Sequence, residues 1–243
     1  MQEDATAAWN ADPMQTALSD DRSQLGLDLS VRRSDYRRSS FVVTPANAAG
    51  LQLALDFPKS SEPALALSGP PGSGKTHLLH VLAEEVGGAV VDARMLPGAD
   101  EGAGRFLLAD NAERSAPKTL LAFLENARAR GRKVALAGSG PPRSWAGGLR
   151  DLETRIEAMA RVSLEEPDED LLRAVIKRRF RERQWRAAEG VADYAAPRIP
   201  RTFAAAEAFV EAAGAAAIVS GRPISRGLAR KIVENLFEQG SKA

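Results

Sequence analysis

Eight consecutive residues, Gly69-Pro-Pro-Gly-Ser-Gly-Lys-Thr76, form the G-x-x-x-x-G-K-T pattern of a phosphate-binding loop. Gly69, Gly72 and Gly74 permit a tight backbone path that turns successive N–H groups, Ser73's among them, toward one phosphate. Lys75 is spaced to reach the β- and γ-phosphates of a nucleotide, and Thr76 offers its hydroxyl to Mg²⁺. A metal held this way also needs a carboxylate at the end of a neighbouring strand. Phe106-Leu-Leu-Ala-Asp110 is an apolar run that ends in one. Many nucleotide hydrolases follow that acid with a second, which polarises the attacking water. Here the position holds Asn111, an amide that can orient water but cannot accept its proton. A further apolar run, Val134-Ala-Leu-Ala137, leads into Gly138-Ser-Gly-Pro-Pro142, and Ser139 is the candidate for sensing a γ-phosphate. The expected ligands are ADP or ATP with Mg²⁺.

These groups need a scaffold that brings several strand ends together. The loop follows Ala64-Leu-Ala-Leu67 and precedes the helical pattern His77–Val86, so it joins a strand to a helix N-terminus. Further strands are expected at 89–92, 105–110, 134–137 and 162–164, and helices at 47–56, 118–130 and 149–159. This alternation predicts an α/β fold with a doubly wound parallel sheet. Beyond Pro167 the pattern is helix only, with segments at 168–186, 191–196, 203–213 and 224–237. The expected organisation is a mobile polar tail over 1–40, a nucleotide-binding α/β domain over 41–166 and a small helical lid over 167–243.

Composition removes other chemistries. The 243 residues carry a net charge of +1, no cysteine and two histidines, His77 and His80. Disulfides and thiolate metal sites are excluded, a histidine metal cluster is implausible, and a polybasic nucleic-acid coat is not indicated. No run approaches the roughly 20 apolar residues of a membrane span. The acidic start, Met1-Gln-Glu-Asp-Ala, lacks the features of a signal peptide, which implies a soluble cytoplasmic protein. A basic cluster at Lys177, Arg178, Arg179, Arg181, Arg183 and Arg186 reads either as a solvated helix face or as an electrostatic contact with a partner.

Taken in order, several segments resemble the AAA+ ATPases related to the bacterial replication initiator DnaA. They are Phe41-Val-Val with Asn47, Gly69–Thr76 with His77-Leu-Leu-His80, Leu107–Asp110, Gly138–Pro142, Leu152-Glu-Thr-Arg155 and Pro200-Arg201-Thr. The resemblance covers roughly residues 40 to 240 and implies an AAA+ sheet with a helical lid. It implies that Val42 and Asn47 contribute to adenine recognition and that His77 lies beside the nucleotide. It makes Arg155 the arginine finger that reaches the γ-phosphate on a neighbouring subunit, and Arg201 the second sensor arginine, which couples the lid to the nucleotide. A homo-oligomer is one arrangement such a finger allows. The chain departs from the initiator at Asn111 and Ser139, where acids are expected, which implies weak hydrolysis in its own site. The short Gly-rich piece 93–104 stands where the initiator has a helical insertion that contacts single-stranded DNA. The chain stops at Ala243, without the initiator's DNA-binding domain, so no direct sequence-specific DNA binding is expected.

In the tail, Gln24-Leu25-Gly26-Leu27-Asp28-Leu29 looks like the Q-L-x-L-x-L peptide that docks bacterial proteins on the replicative sliding clamp. Alternate leucines of an extended peptide fill apolar pockets while Gln24 sets the register. A clamp peptide, an initiator-like core and no DNA-binding domain together resemble the Hda-type regulatory inactivators of DnaA. The resemblance implies a clamp-tethered protein that stimulates ATP hydrolysis by the initiator and represses re-initiation. Three other readings stay open: a helicase-loader-type AAA+ protein, a stand-alone P-loop kinase and a nucleotide-binding adaptor without catalytic role.

Overall fold

Two faces of one sheet account for most of the apolar sequence up to Leu164. The computed structural model describes residues 36–96 and 104–238, which belong to one compact unit. Five strands, β1 (Ala64–Gly69), β2 (Val90–Asp92), β3 (Phe106–Asp110), β4 (Lys133–Ser139) and β5 (Ala160–Ser163), pair in the order β2-β3-β4-β1-β5. All pairs are parallel. Parallel neighbours need crossovers, and helices supply them: α2 (Lys75–Val86), α3 (Pro117–Ala129) and α4 (Arg150–Glu157), with α1 (Pro45–Asp56) ahead of β1.

A sheet covered on both faces reads as continuous apolar runs, because inward and outward side chains are both buried. Leu65, Leu67, Ala135 and Ala137 pack with Leu78, Leu79 and Leu82 of α2 on one face. Ala66, Ala109, Val134 and Leu136 pack with Leu120 of α3 and Leu152 and Ile156 of α4 on the other. The sheet therefore matches the expected doubly wound arrangement.

The helical region holds α5 (Glu169–Glu182), α6 (Val191–Ala195), α7 (Phe203–Ser220) and α8 (Arg226–Val233), with a core of their own around Leu172, Ile176, Phe180, Phe209 and Val210. Three expected boundaries move. Helix α5 stops at Glu182, because Gln184 takes a left-handed φ of 56°. Helix α7 continues past Ala213 to Ser220, since nothing opposes it until Gly221 turns left-handed at φ 63°. Helix α8, expected over 224–237, spans Arg226–Val233, because Ser225 caps its start by accepting from the Leu228 N–H.

Helix α7 is long and apolar enough to span a bilayer by length and composition, which the sequence reading did not anticipate. Its inner side is nevertheless the core of the helical cluster, and its Glu207 and Glu211 pair with Arg183. Of the basic cluster at the end of α5 and just beyond it, Lys177 meets Asp193, Arg178 and Arg179 meet Glu182, and Arg179 and Arg183 meet Glu207. Much of that charge is balanced inside the molecule.

Residues 36–40, assigned to the tail from sequence, are part of the folded unit. The Arg38 N–H donates to Glu84 Oε2 (2.7 Å), and Tyr36 stacks on His80 at 4.8 Å. The proposed clamp peptide, 24–29, and most of the Gly-rich piece, 97–103, lie outside the described residues.

Candidate functional site

The strand ends that carry the chemistry meet along one edge of the sheet. Parallel register sets Gly69 opposite Ser139 and Asp92 opposite Asp110. The strand order reverses between β1 and β4, so the loop after β1 opens where ligands bind in such sheets.

The loop is shaped by positions that only glycine fills easily. Gly72 and Gly74 have φ of 77° and 95°, and Gly74 caps α2 in the left-handed region. A Cβ on Gly72 would lie 2.9 Å from Thr202 Cβ, and one on Gly74 would lie 3.0 Å from Phe203 Cε2. The start of α7 thus rests directly on the loop. Lys75 is 7% exposed, and its Nζ donates to the Pro70 carbonyl at 2.7 Å. Burial pushes its pKa down, while Glu113 and then Asp110 pull it back up. Phosphate oxygens would give this buried ammonium a close anionic partner.

Thr76 Oγ1 donates to Asp110 Oδ2 at 2.7 Å, so the hydroxyl and the carboxylate occupy one point. Both are hard oxygen donors, as Mg²⁺ prefers. Among the described residues no group of three or more His, Asp or Glu could hold a metal ion unaided. That suits an ion bound through one carboxylate and substrate phosphates. The residues fit Mg²⁺–nucleotide: Gly69–Thr76 would hold the phosphates, and Thr76 with Asp110 the ion.

Asn111 is held away from this point. Its φ of 61° is left-handed, its N–H donates to Asp110 Oδ1 (2.9 Å) and its Nδ2 donates to Asp92 Oδ2 (3.2 Å). Asp92 is clamped by Arg94, whose side-chain hydrogen bonds hold the carboxyl at about 2. Ser139 is fixed through its backbone: its N–H donates to Glu113 Oε2 (3.0 Å) and its carbonyl accepts from Trp145 Nε1–H (2.8 Å). The Trp145 ring lies over Gly138, where a Cβ would come within 2.7 Å of it.

Arg201 precedes Thr202, the residue that caps α7, and is therefore next to the loop; its Nη2 is 3.4 Å from Glu169 Oε1 and its side chain is 58% exposed. His77 lies on α2, near the start of that helix. Its ring is packed edge-on by Tyr36 and Phe41, with Nε2 3.1 Å from the Arg37 carbonyl. Asn47 spends both ends of its amide locally, accepting from the Thr44 N–H (2.9 Å) and donating to the Val42 carbonyl (2.9 Å). Val42 and Asn47 thereby shape the entry to α1. Arg155 lies on α4, paired with Glu125 of α3 at 2.7 Å.

Sequence reasoning missed Glu113, Asp92, Trp145 and Thr202. The first had a signal, an acid three residues after Asp110 beyond an Asn suited to a left-handed turn. The others are brought in by register and packing.

No family model and no curated protein matches the chain. Solved structures do resemble it. Domain III of the Thermotoga maritima replication initiation protein DnaA superposes with a TM-score of 0.72 at 17% identity, covering 84% of this chain and 98% of that one. The Thermotoga maritima RuvB Holliday junction branch migration motor gives 0.66 at 19% identity, over 83% of this chain and 72% of that one. A DNA replication initiation factor gives 0.64 at 20% identity, over 81% and 67%. The five-stranded parallel sheet, its phosphate loop and the helical region that follows share the AAA+ P-loop fold seen in DnaA domain III and RuvB.

Proposed function

We propose that this chain is a clamp-tethered AAA+ regulator that binds ADP or ATP and stimulates ATP hydrolysis by the replication initiator DnaA through Arg155. The observation that carries the reading is the placement of Arg155. Its side chain is 30% exposed and pairs with Glu125, and among the described residues none of the phosphate loop is a hydrogen-bond partner of it. A cation so placed serves a phosphate on another molecule. In the transition state such a finger neutralises charge on the transferring phosphoryl group, an effect worth about 10³–10⁵ in rate.

The nucleotide in the chain's own loop then has a structural task. Thr202 and Phe203 rest on Gly72 and Gly74, so a phosphate seated in the loop is felt at the start of α7. Arg201, one residue earlier, reports on it electrostatically. The Gln24–Leu29 peptide, read from sequence, supplies the tether to the sliding clamp, and tethering raises the local concentration of regulator near clamp-bound DNA.

ATP loss from purified initiator, measured with this protein and DNA-loaded clamp, tests the reading. Wild type should accelerate it, Arg155→Ala should not, and a Leu27→Ala/Leu29→Ala variant should act only at high concentration. No acceleration by wild type sinks the proposal. Recruitment of replicative helicase in the absence of clamp binding would favour the loader reading instead.

A further inference from the structure

We propose that Glu113 is the proton acceptor for the water that attacks ATP in this chain's own site, the task Asn111 cannot perform. The acid is displaced along the chain by a backbone turn. At Asn111 the chain leaves β3 with φ 61°, a region Asn tolerates better than other side chains bearing a Cβ. The amide of Asn111 is anchored outward on Asp92, and the short turn Ala112–Arg114 follows at once. Buried Ala112 pins that turn, and Glu113 is carried back over the end of β4.

There its Oε2 accepts from the Ser139 N–H at 3.0 Å, and its Oε1 is 3.6 Å from Arg114 Nε. The side chain is 22% exposed. The same carboxylate pulls on the Lys75 charge electrostatically, more strongly than Asp110 does. Glu113 is therefore fixed at the strand end expected to sense the γ-phosphate, within electrostatic reach of the lysine that would hold the terminal phosphates. An ionised carboxylate offers about four lone-pair sites, and the Ser139 and Arg114 contacts leave room for a water.

The step balances without a further reagent. Glu113 accepts a proton from water as the water oxygen bonds to the γ-phosphorus. The bond from that phosphorus to the β,γ-bridging oxygen breaks, and its electron pair leaves with ADP. Glu113 then returns the proton to solvent. Turnover of this kind would leave the chain holding ADP. The inference concerns the chain's own loop and does not depend on Arg155 acting on a partner.

A plain bracing role for Glu113 predicts a different result from Glu113→Gln, because glutamine still accepts from the Ser139 N–H but takes no proton. Single-turnover conversion of labelled ATP by excess protein with Mg²⁺ should proceed in wild type and slow by about 100-fold or more in Glu113→Gln. The variant's ATP affinity should stay within about twofold, its ATP-induced thermal shift should persist, and nucleotide recovered from it should be ATP rather than ADP. Wild-type turnover in the variant, loss of ATP affinity together with turnover, or a wild-type chain that leaves ATP intact would each overturn the proposal. Glu113→Gln preloaded with ADP should still support Arg155-dependent ATP loss from the initiator, so either proposal can fail alone.

Discussion

Thr76 Oγ1 donates to Asp110 Oδ2 at 2.7 Å, joining residues 34 apart in sequence at one point beside the phosphate loop. The pair fixes where a metal ion would sit, because both oxygens are held by strand β3 and the first turn of α2.

Replacing Asp110 by Asn keeps an acceptor for Thr76 but removes the charge an ion needs. In titrations with labelled ATP, wild type should bind about tenfold or more tightly with Mg²⁺ than with EDTA, about 1.4 kcal/mol or more. Asp110→Asn should bind alike in both. A retained Mg²⁺ effect would remove Asp110 from the ion's position.

Lys75 is a buried ammonium whose pKa is depressed first by burial, so the charged form weakens the nucleotide-free fold at neutral pH. With the folded value below the unfolded one, its stability contribution is present above the ordinary 10.5 and lost as pH falls through the folded value. Lys75→Met should therefore raise the Tm of the free protein by about 2–4 °C and abolish the ATP-induced shift. A scanning fluorimetry series with and without ATP reads both. A lower Tm in the free variant would show that the Pro70 contact outweighs the burial cost.

Gly72→Ala combines a left-handed φ of 77° with a contact of 2.9 Å to Thr202 Cβ. It should cost about 2–4 kcal/mol in urea unfolding, from backbone strain and overpacking together. Gly87→Ala has a similar φ, 63°, and nothing within 4 Å, so it should lose only the backbone part, about 1–2 kcal/mol. Equal losses would mean that α7 does not press on the loop.

His77 has its pKa lowered by burial, partly offset by the Arg37 carbonyl, with Arg179, His80 and Arg178 lowering it further. His80 is lowered by burial against the pull of Asp110. Both folded values lie below the ordinary 6.5, so this stability is present above pH 6.5 and lost as pH falls through them. Unfolding free energy should drop between pH 7 and 5 by up to about 1.4 kcal/mol per pH unit for each histidine. His77→Phe should flatten the slope while keeping the ring packing on Tyr36 and Phe41. An unchanged slope would place the acid sensitivity elsewhere.

The sequence by itself determined the loop, the five strands and their parallel character. Gly69–Thr76 is a contiguous pattern, and strands buried on both faces must be apolar at nearly every position. It also marked Asp110 and Ser139, because each ends such a run. Helix ends were less legible: Gln184 is left-handed without being Gly, and Gly214 inside α7 accommodates the Trp185 ring rather than ending the helix. Only the tertiary structure decided which way the polar groups turn. Asn111 looked like a water-orienting group, yet the register of β2 with β3 offers it Asp92. Glu113 belongs to no motif in the sequence, and it is the turn at Asn111 and the Ser139 N–H that bring it over the end of β4. Side-chain type is written in the chain, but the partner that orients it arrives from another strand, and hydrogen-bond geometry is settled only when those strands meet.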